Sequence, residues 1–186
     1  MIVYQGHQVF PTGLFLDLVL CLLPLALILS IKKLGCWPKI GKGGTIWGYL
    51  LVYFFLIYLP HATYAFFEIK HTIFTSWESF AVFGGISLFG LSCTLICNIL
   101  IVDHYAKNTK EMFLNYLFLS LICGFGAAIG LLDYSGISGL MPFLFPQIAL
   151  DLFGNQAIVS LALGTCTLIF TIGYITHRFI FKPSFK

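Results

Sequence analysis

The chain has very few charged residues. Only 9% of its 186 residues are Asp, Glu, Lys or Arg, whereas 59% are hydrophobic. A soluble domain carries about 25% charged residues, so this deficit excludes a soluble monomer. The net charge of +3 comes from 10 basic and 7 acidic residues scattered along the chain, which argues against nucleic acid as a partner.

The chain also lacks the alternating apolar and polar segments of a membrane β-barrel. It has instead several apolar runs that approach the roughly 20 residues with which a helix crosses a bilayer. We therefore predict an all-α integral membrane protein, folded over residues 1–186 as one bundle of five transmembrane helices. The predicted spans cover about 11–31, 45–67, 80–102, 112–132 and 157–179, with a short outer re-entrant or interfacial segment at about 140–153.

Basic residues are missing from the first ten positions, whereas a cleaved signal peptide begins with them. Lys32 and Lys33 follow the first apolar run, so this run is predicted to be an uncleaved anchor. Because basic loops stay on the inner side of a membrane, we expect the N-terminus outside and the C-terminus inside a bacterial inner or thylakoid-type membrane. Asp103 and His104 are predicted to lie in a solvated inner loop.

The six cysteines do not suggest a disulfide framework. Five of them lie in predicted spans, and Cys36 lies in a Lys-rich loop. Cys93 and Cys97 are one helical turn apart, which is typical of small packing residues. A metal or redox pair is the alternative interpretation.

A few polar residues interrupt the apolar spans. Asp17 lies about 9 Å below the outer edge of the first span, where an unpaired charge is costly. The segment Pro60–His71 closes the second span, and its polar residues recur at i, i+3, i+7 and i+10, so they line one stripe of a helix. We predict an intramembrane polar cluster of Asp17, His61, Tyr64, Glu68, His71 and Asp133.

The segment Pro60–His71 resembles the signature of an uncharacterised multi-span bacterial membrane family, called domain of unknown function 1361. That signature is approximately Pro-Asn-x-Pro-Tyr-x-x-Thr-Asp-x-x-His after an apolar helix. Pro60, Tyr64 and His71 fit it, and Glu68 takes the acidic place. The chain departs from the pattern at His61, Thr63 and Phe67.

A second block of that family, Gly-x-x-x-Gly-Arg followed by Arg and an Asn-Ser-Trp-Asp run, corresponds to residues 126–139. Gly126 and Gly130 fit, whereas Leu131 replaces the Arg and the polar run is missing. The resemblance covers about the central half of the chain. It implies a multi-span helical fold and no known activity, and the departures suggest a binding or scaffolding role.

The polar cluster has three interpretations. In the first, Asp17 and His61 hydrogen-bond between two helices and serve only packing. In the second, His61 is the axial ligand of a haem or chlorophyll. In the third, Glu68 and His71 form half of a carboxylate di-metal motif in a membrane metalloenzyme. No nucleophile, phosphate-binding or dinucleotide motif is found, so no catalytic residue is assigned.

Small residues in two spans would let other helices approach closely. They are Ala81 and Gly85 in the third span, and Gly124, Gly126, Ala128 and Gly130 in the fourth. From these faces and the lack of a complete site, we expect a non-catalytic membrane subunit that contacts the lipid bilayer and other membrane protein subunits. A pigment- or haem-binding subunit and a membrane metalloenzyme are the alternatives.

Overall fold

A computed structural model describes residues 3–4, 7–8, 11–35, 37, 46–67, 77–131 and 154–181. Within the helices, it describes the backbone but not the side chains of residues 11–17, 65–67, 78–80, 83 and 129–131. The predicted re-entrant segment at 140–153 lies outside the described residues.

Helices make up nearly all of the described chain. Two short strands, β1 (Val3–Tyr4) and β2 (His7–Gln8), pair antiparallel near the N-terminus. The helices are α1 (Pro11–Leu34), α2 (Ile46–Phe67), α3 (Trp77–Tyr105), α4 (Thr109–Leu131) and α5 (Gln156–Ile175). A π-helical turn, Thr176–Phe181, continues α5 without a break.

Four of these helices are long and apolar enough to cross a membrane. The qualifying segments are Ile46–Tyr64, Gly84–Tyr105, Thr109–Ala128 and Gln156–Phe181. Large apolar side chains are exposed along them, among them Leu88, Phe118 and Phe179. Such exposure is expected where lipid rather than water surrounds the helices. The predicted helical fold is confirmed, and these four helices are compatible with the predicted multi-pass membrane protein.

Helix α2 continues through Pro60 to Phe67, although a proline in a helix removes one hydrogen bond and crowds the preceding turn. Pro60 is buried, and its ring lies against Gly126 of α4. A Cβ atom at Gly126 would collide with that ring, so glycine is required for this approach. The proline is thereby accommodated by a neighbouring helix, as is usual within membranes.

Helix α4 is packed on two sides by other helices of the same chain. It contacts α2 through Gly126 and α5 through Gly124, where an added Cβ would collide with the Cys166 side chain and the Ala162 carbonyl. Helix α2 also contacts α1 and α3. The small face predicted on α4 is therefore used, at these two glycines, for packing within the chain.

The junction between α3 and α4 differs from the predicted loop. Asp103 and His104 belong to the last turn of α3, so their placement in a loop was wrong. The connection between α3 and α4 is three residues long, and its last residue, Asn108, caps α4. The Glu111 N–H donates to Asn108 Oδ1 at 2.9 Å, and the Lys107 N–H donates to Glu111 Oε2 at 2.8 Å. This arrangement resembles a capping box, except that the Glu111 carboxylate accepts from the residue before the cap.

Basic residues gather at this end of the bundle. Trp37, which follows α1, stacks on His104 with ring centroids 3.9 Å apart and planes 11° apart. The C-terminal end of α1 therefore lies beside the α3–α4 junction. All lysines and arginines of the described residues are at this end: Lys32, Lys33, Lys107, Lys110 and Arg178.

Candidate functional site: buried polar side chains

Much of the predicted polar cluster lies beyond what the structure describes. Glu68, His71 and Asp133 are outside the described residues, and Asp17 is described only as a backbone position in α1. The predicted contact between Asp17 and His61 and the predicted metal pair Glu68 and His71 therefore stay predictions.

His61 and Tyr64 are the two described members of that cluster, and both are half-buried near the end of α2. The His61 ring lies beside the Tyr58 ring, with centroids 5.8 Å apart. Its imidazole makes no hydrogen bond to another residue that the structure describes. His61 is thus positioned by packing rather than by a polar partner within this part of the chain.

A polar group that the sequence analysis missed joins three helices at the basic end of the bundle. The Tyr116 hydroxyl and His177 Nδ1 are 3.0 Å apart, and both side chains are buried. His177 Nε2 lies 3.9 Å from Asp103 Oδ1, and the Asp103 side chain is 58% exposed. We call these three residues the Tyr–His–Asp group. It leads from the surface to a phenol inside the bundle.

Local structure explains how His177 reaches Tyr116. His177 lies in the π-helical turn, which carries an extra residue per turn, and such turns often occur at functional sites. Four residues earlier, Gly173 lies against the Tyr116 ring, and a Cβ there would be 2.8 Å from Tyr116 Cε1. The glycine therefore lets α4 and α5 approach until the phenol and the imidazole meet.

A second buried set, deeper in the bundle, joins α2, α3 and α4. Thr94 donates its hydroxyl hydrogen to the Gly90 carbonyl at 3.0 Å. Thr63 Oγ1 lies 3.1 Å from Thr94 Oγ1. Because a hydroxyl has one hydrogen and Thr94 has used its own, Thr63 is the donor in this bond between α2 and α3.

Two other buried polar side chains, on α3 and α4, lack hydrogen-bond partners. The amide nitrogen and oxygen of Asn98 and the hydroxyl of Ser120 are buried and unbonded within the described part of the chain. Asn98 and Thr63 both lie next to the thiol of the buried Cys123, but a thiol is a weak partner. We call Thr63, Thr94, Asn98 and Ser120 the central polar cluster.

The two sets follow one another along the bundle. On α4, Tyr116 and Ser120 are four residues apart, and on α3, Asn98 and Thr94 are four residues apart, so each pair lines one helix face. Depth is counted from the basic end, where α3 ends and α4 begins, with a rise of 1.5 Å per residue. Tyr116 and Asn98 then lie about 10 Å deep, and Ser120 lies about 16 Å deep. The central polar cluster therefore begins where the Tyr–His–Asp group stops.

The sequence held a signal for these residues. Polar residues at i and i+4 within an apolar helix predict one buried polar face, and Tyr116 with Ser120, or Thr94 with Asn98, satisfies this rule. His177 gave no such signal, because its position close to the chain end suggested solvent. Its burial depends on the π-helical turn and on Gly173.

The cysteines are consistent with packing. Five of them, at positions 21, 93, 97, 123 and 166, are buried and free of disulfides. Within the described segments, no three His, Cys, Asp or Glu side chains come together as a metal site would require.

Comparison with known proteins finds no matching family model, curated protein or solved structure. The resemblance to domain of unknown function 1361 therefore stays a prediction from residues 60–71 and 126–139.

Proposed function

We propose that the chain is a five-span membrane protein, with its N-terminus outside and its C-terminus inside, that acts as a non-catalytic subunit of a larger membrane complex. In this proposal α1, a helix of 24 residues, is the fifth span. The gathering of basic residues at one end of the bundle supports the orientation, because basic residues favour the inner side of a membrane.

The observation that supports a subunit role is the outward face of α3. Ala81, Gly85 and Ser92 lie on this face and are exposed. A Cβ atom built on Gly85 meets no other atom within 4 Å. Exposed small residues at this spacing let a second helix approach closely within a membrane, whereas Gly124 and Gly126 are already covered by helices of the same chain.

Copurification in a mild detergent tests the subunit role. Gly85→Leu fills the open face of α3, so we expect a bound membrane protein to be lost from the purified sample. Gly164→Leu is the matched control, since Gly164 of α5 is also exposed with open space around it. A chain that purifies without any partner, or a partner retained by both variants, contradicts the proposal.

A second candidate is a subunit that also binds a haem or chlorophyll through His61. The half-buried imidazole, which has no hydrogen-bond partner among the described residues, supports it. An absorption spectrum of the gently purified protein tests it. We expect a Soret band that disappears in His61→Ala and persists in Tyr58→Phe, whereas a colourless protein contradicts this candidate.

A further inference from the structure

We propose that the Tyr–His–Asp group and the central polar cluster together form a proton path into the membrane interior, with Asp103 as its aqueous end. Polar side chains inside membrane helices are costly, and where they line the interior of a bundle they often mark ion pathways or proton relays. All the groups of this path belong to this chain, so no partner subunit is needed to complete it.

Geometry supports the first step. Asp103 is exposed, His177 is buried behind it, and Tyr116 is buried behind His177. The gap of 3.9 Å between the carboxylate and Nε2 is closed by one bridging water or a small side-chain rotation. The next contact, between Nδ1 and the phenol oxygen, is already at hydrogen-bond distance, 3.0 Å.

One proton moves through these three groups, and their net charge is restored when Asp103 takes up another proton from water. The Asp103 carboxylic acid gives its proton to His177 Nε2, while Nδ1–H passes its proton to the Tyr116 oxygen. The original phenol proton leaves toward the bundle interior. The imidazole ends with its proton on Nε2, and a ring flip then turns that N–H toward Tyr116 for the next transfer. No oxidant or reductant takes part.

The unpaired groups of the central polar cluster support the second step. A buried water needs two to four polar partners, and the Asn98 amide and the Ser120 hydroxyl offer three unused polar atoms. Water bound there accepts the proton from Tyr116. The Thr63–Thr94 bond continues toward the end of α2 that carries His61 and Tyr64.

The same groups favour a proton over a metal cation. The four side chains of the central polar cluster are neutral. The two carboxylates whose side chains the structure describes, Asp103 and Glu111, lie at the basic end and not among them. Hydroxyls and bound water relay protons because the same oxygen can accept one hydrogen bond while donating another, and the Asn98 amide would hold such a water in place.

Proton flux into phosphatidylcholine vesicles that contain the full chain tests the proposal. A potassium gradient with valinomycin drives the flux, and a pH-sensitive dye inside reports it. We expect wild-type flux above that of protein-free vesicles, a reduced flux in Asp103→Asn, and loss to the protein-free level in Tyr116→Phe. The thermal transition of each variant verifies folding, and Asp103→Asn changes only an exposed group.

Glu111→Gln is the matched control, because Glu111 is an acidic residue at the same end of the bundle but outside the path. It should conduct as the wild type does. Wild-type vesicles no more permeable to protons than protein-free vesicles would overturn the proposal. So would a flux that Asp103→Asn and Tyr116→Phe leave unchanged, because the protons would then take another route.

Discussion

The two buried polar regions of the bundle differ in whether their side chains find hydrogen-bond partners. At the basic end, Tyr116 and His177 satisfy each other, and Asp103 connects them to water. In the middle, Asn98 and Ser120 are equally buried but unsatisfied by the described chain. The first region is what interhelical packing needs. The second retains an energetic cost that its contacts within the described chain do not offset.

The largest effect on stability is expected at Gly126, because this glycine sets the spacing between α2 and α4. Gly126→Val would force Pro60 and α2 away from α4, because the ring lies where the new side chain must go. We expect a loss of about 3 kcal/mol in the free energy of unfolding, as overpacking of a dense interior typically costs 1–3 kcal/mol. Denaturant unfolding in detergent measures it.

Gly85→Val is the control for this substitution, since the added side chain has open space around it. It introduces the same β-branched residue into a helix. Equal losses in the two variants would show that helix propensity, rather than the contact with Pro60, is responsible.

Removing the paired imidazole should have the next largest effect. His177→Leu leaves the Tyr116 hydroxyl buried without a partner, and we expect a loss of about 2 kcal/mol because an unsatisfied buried donor costs 1–3 kcal/mol. The double variant with Tyr116→Phe should recover part of that loss. Thermal unfolding in detergent gives both values, and no recovery would mean that the pair is not coupled.

Asn98→Leu should raise the free energy of unfolding, whereas the two substitutions above lower it. Its carboxamide lacks a protein partner within the described residues, so an apolar side chain of similar size should stabilise the protein by about 1 kcal/mol. The same unfolding measurement tests it. A loss of stability would show that Asn98 is paired after all, and the contrast between the two regions would disappear.

The smallest effect is expected at Thr63→Val, which removes the one hydrogen bond between α2 and α3 in the central polar cluster. Such bonds average about 0.6 kcal/mol in a membrane protein, and valine keeps the shape of threonine. Thr167→Val is a suitable control because its hydroxyl bonds only within α5. If the control destabilises as much, the interhelical bond contributes nothing of its own.

Local features predicted the helices well. The long apolar runs predict helices because a chain in lipid must satisfy its own backbone hydrogen bonds. For α2, the run before Pro60 was too short to cross, so a helix continuing past the proline was expected, and α2 does continue to Phe67. The loop predicted at Asp103 was wrong. The polar residues at 103 and 104 suggested the end of α3, but the turn comes only where Asn108 and Glu111 start α4.

The candidate site was predicted less well. The sequence singled out His61, which lies within an apolar segment, whereas the imidazole with a polar partner in the structure is that of His177. Sequence distance hides that pairing, because Tyr116 and His177 lie on different helices and meet only through the close approach at Gly173.

The composition and the long apolar runs by themselves predicted a helical membrane protein, because a chain with 59% hydrophobic and 9% charged residues suits lipid, where helices satisfy their own backbone hydrogen bonds. The four long apolar helices agree with that prediction. Which polar groups meet, and which are buried without partners, was decided only by tertiary structure. Helix rotation and spacing set those contacts, and both depend on where a glycine, a proline or a π-helical turn lets two helices come close.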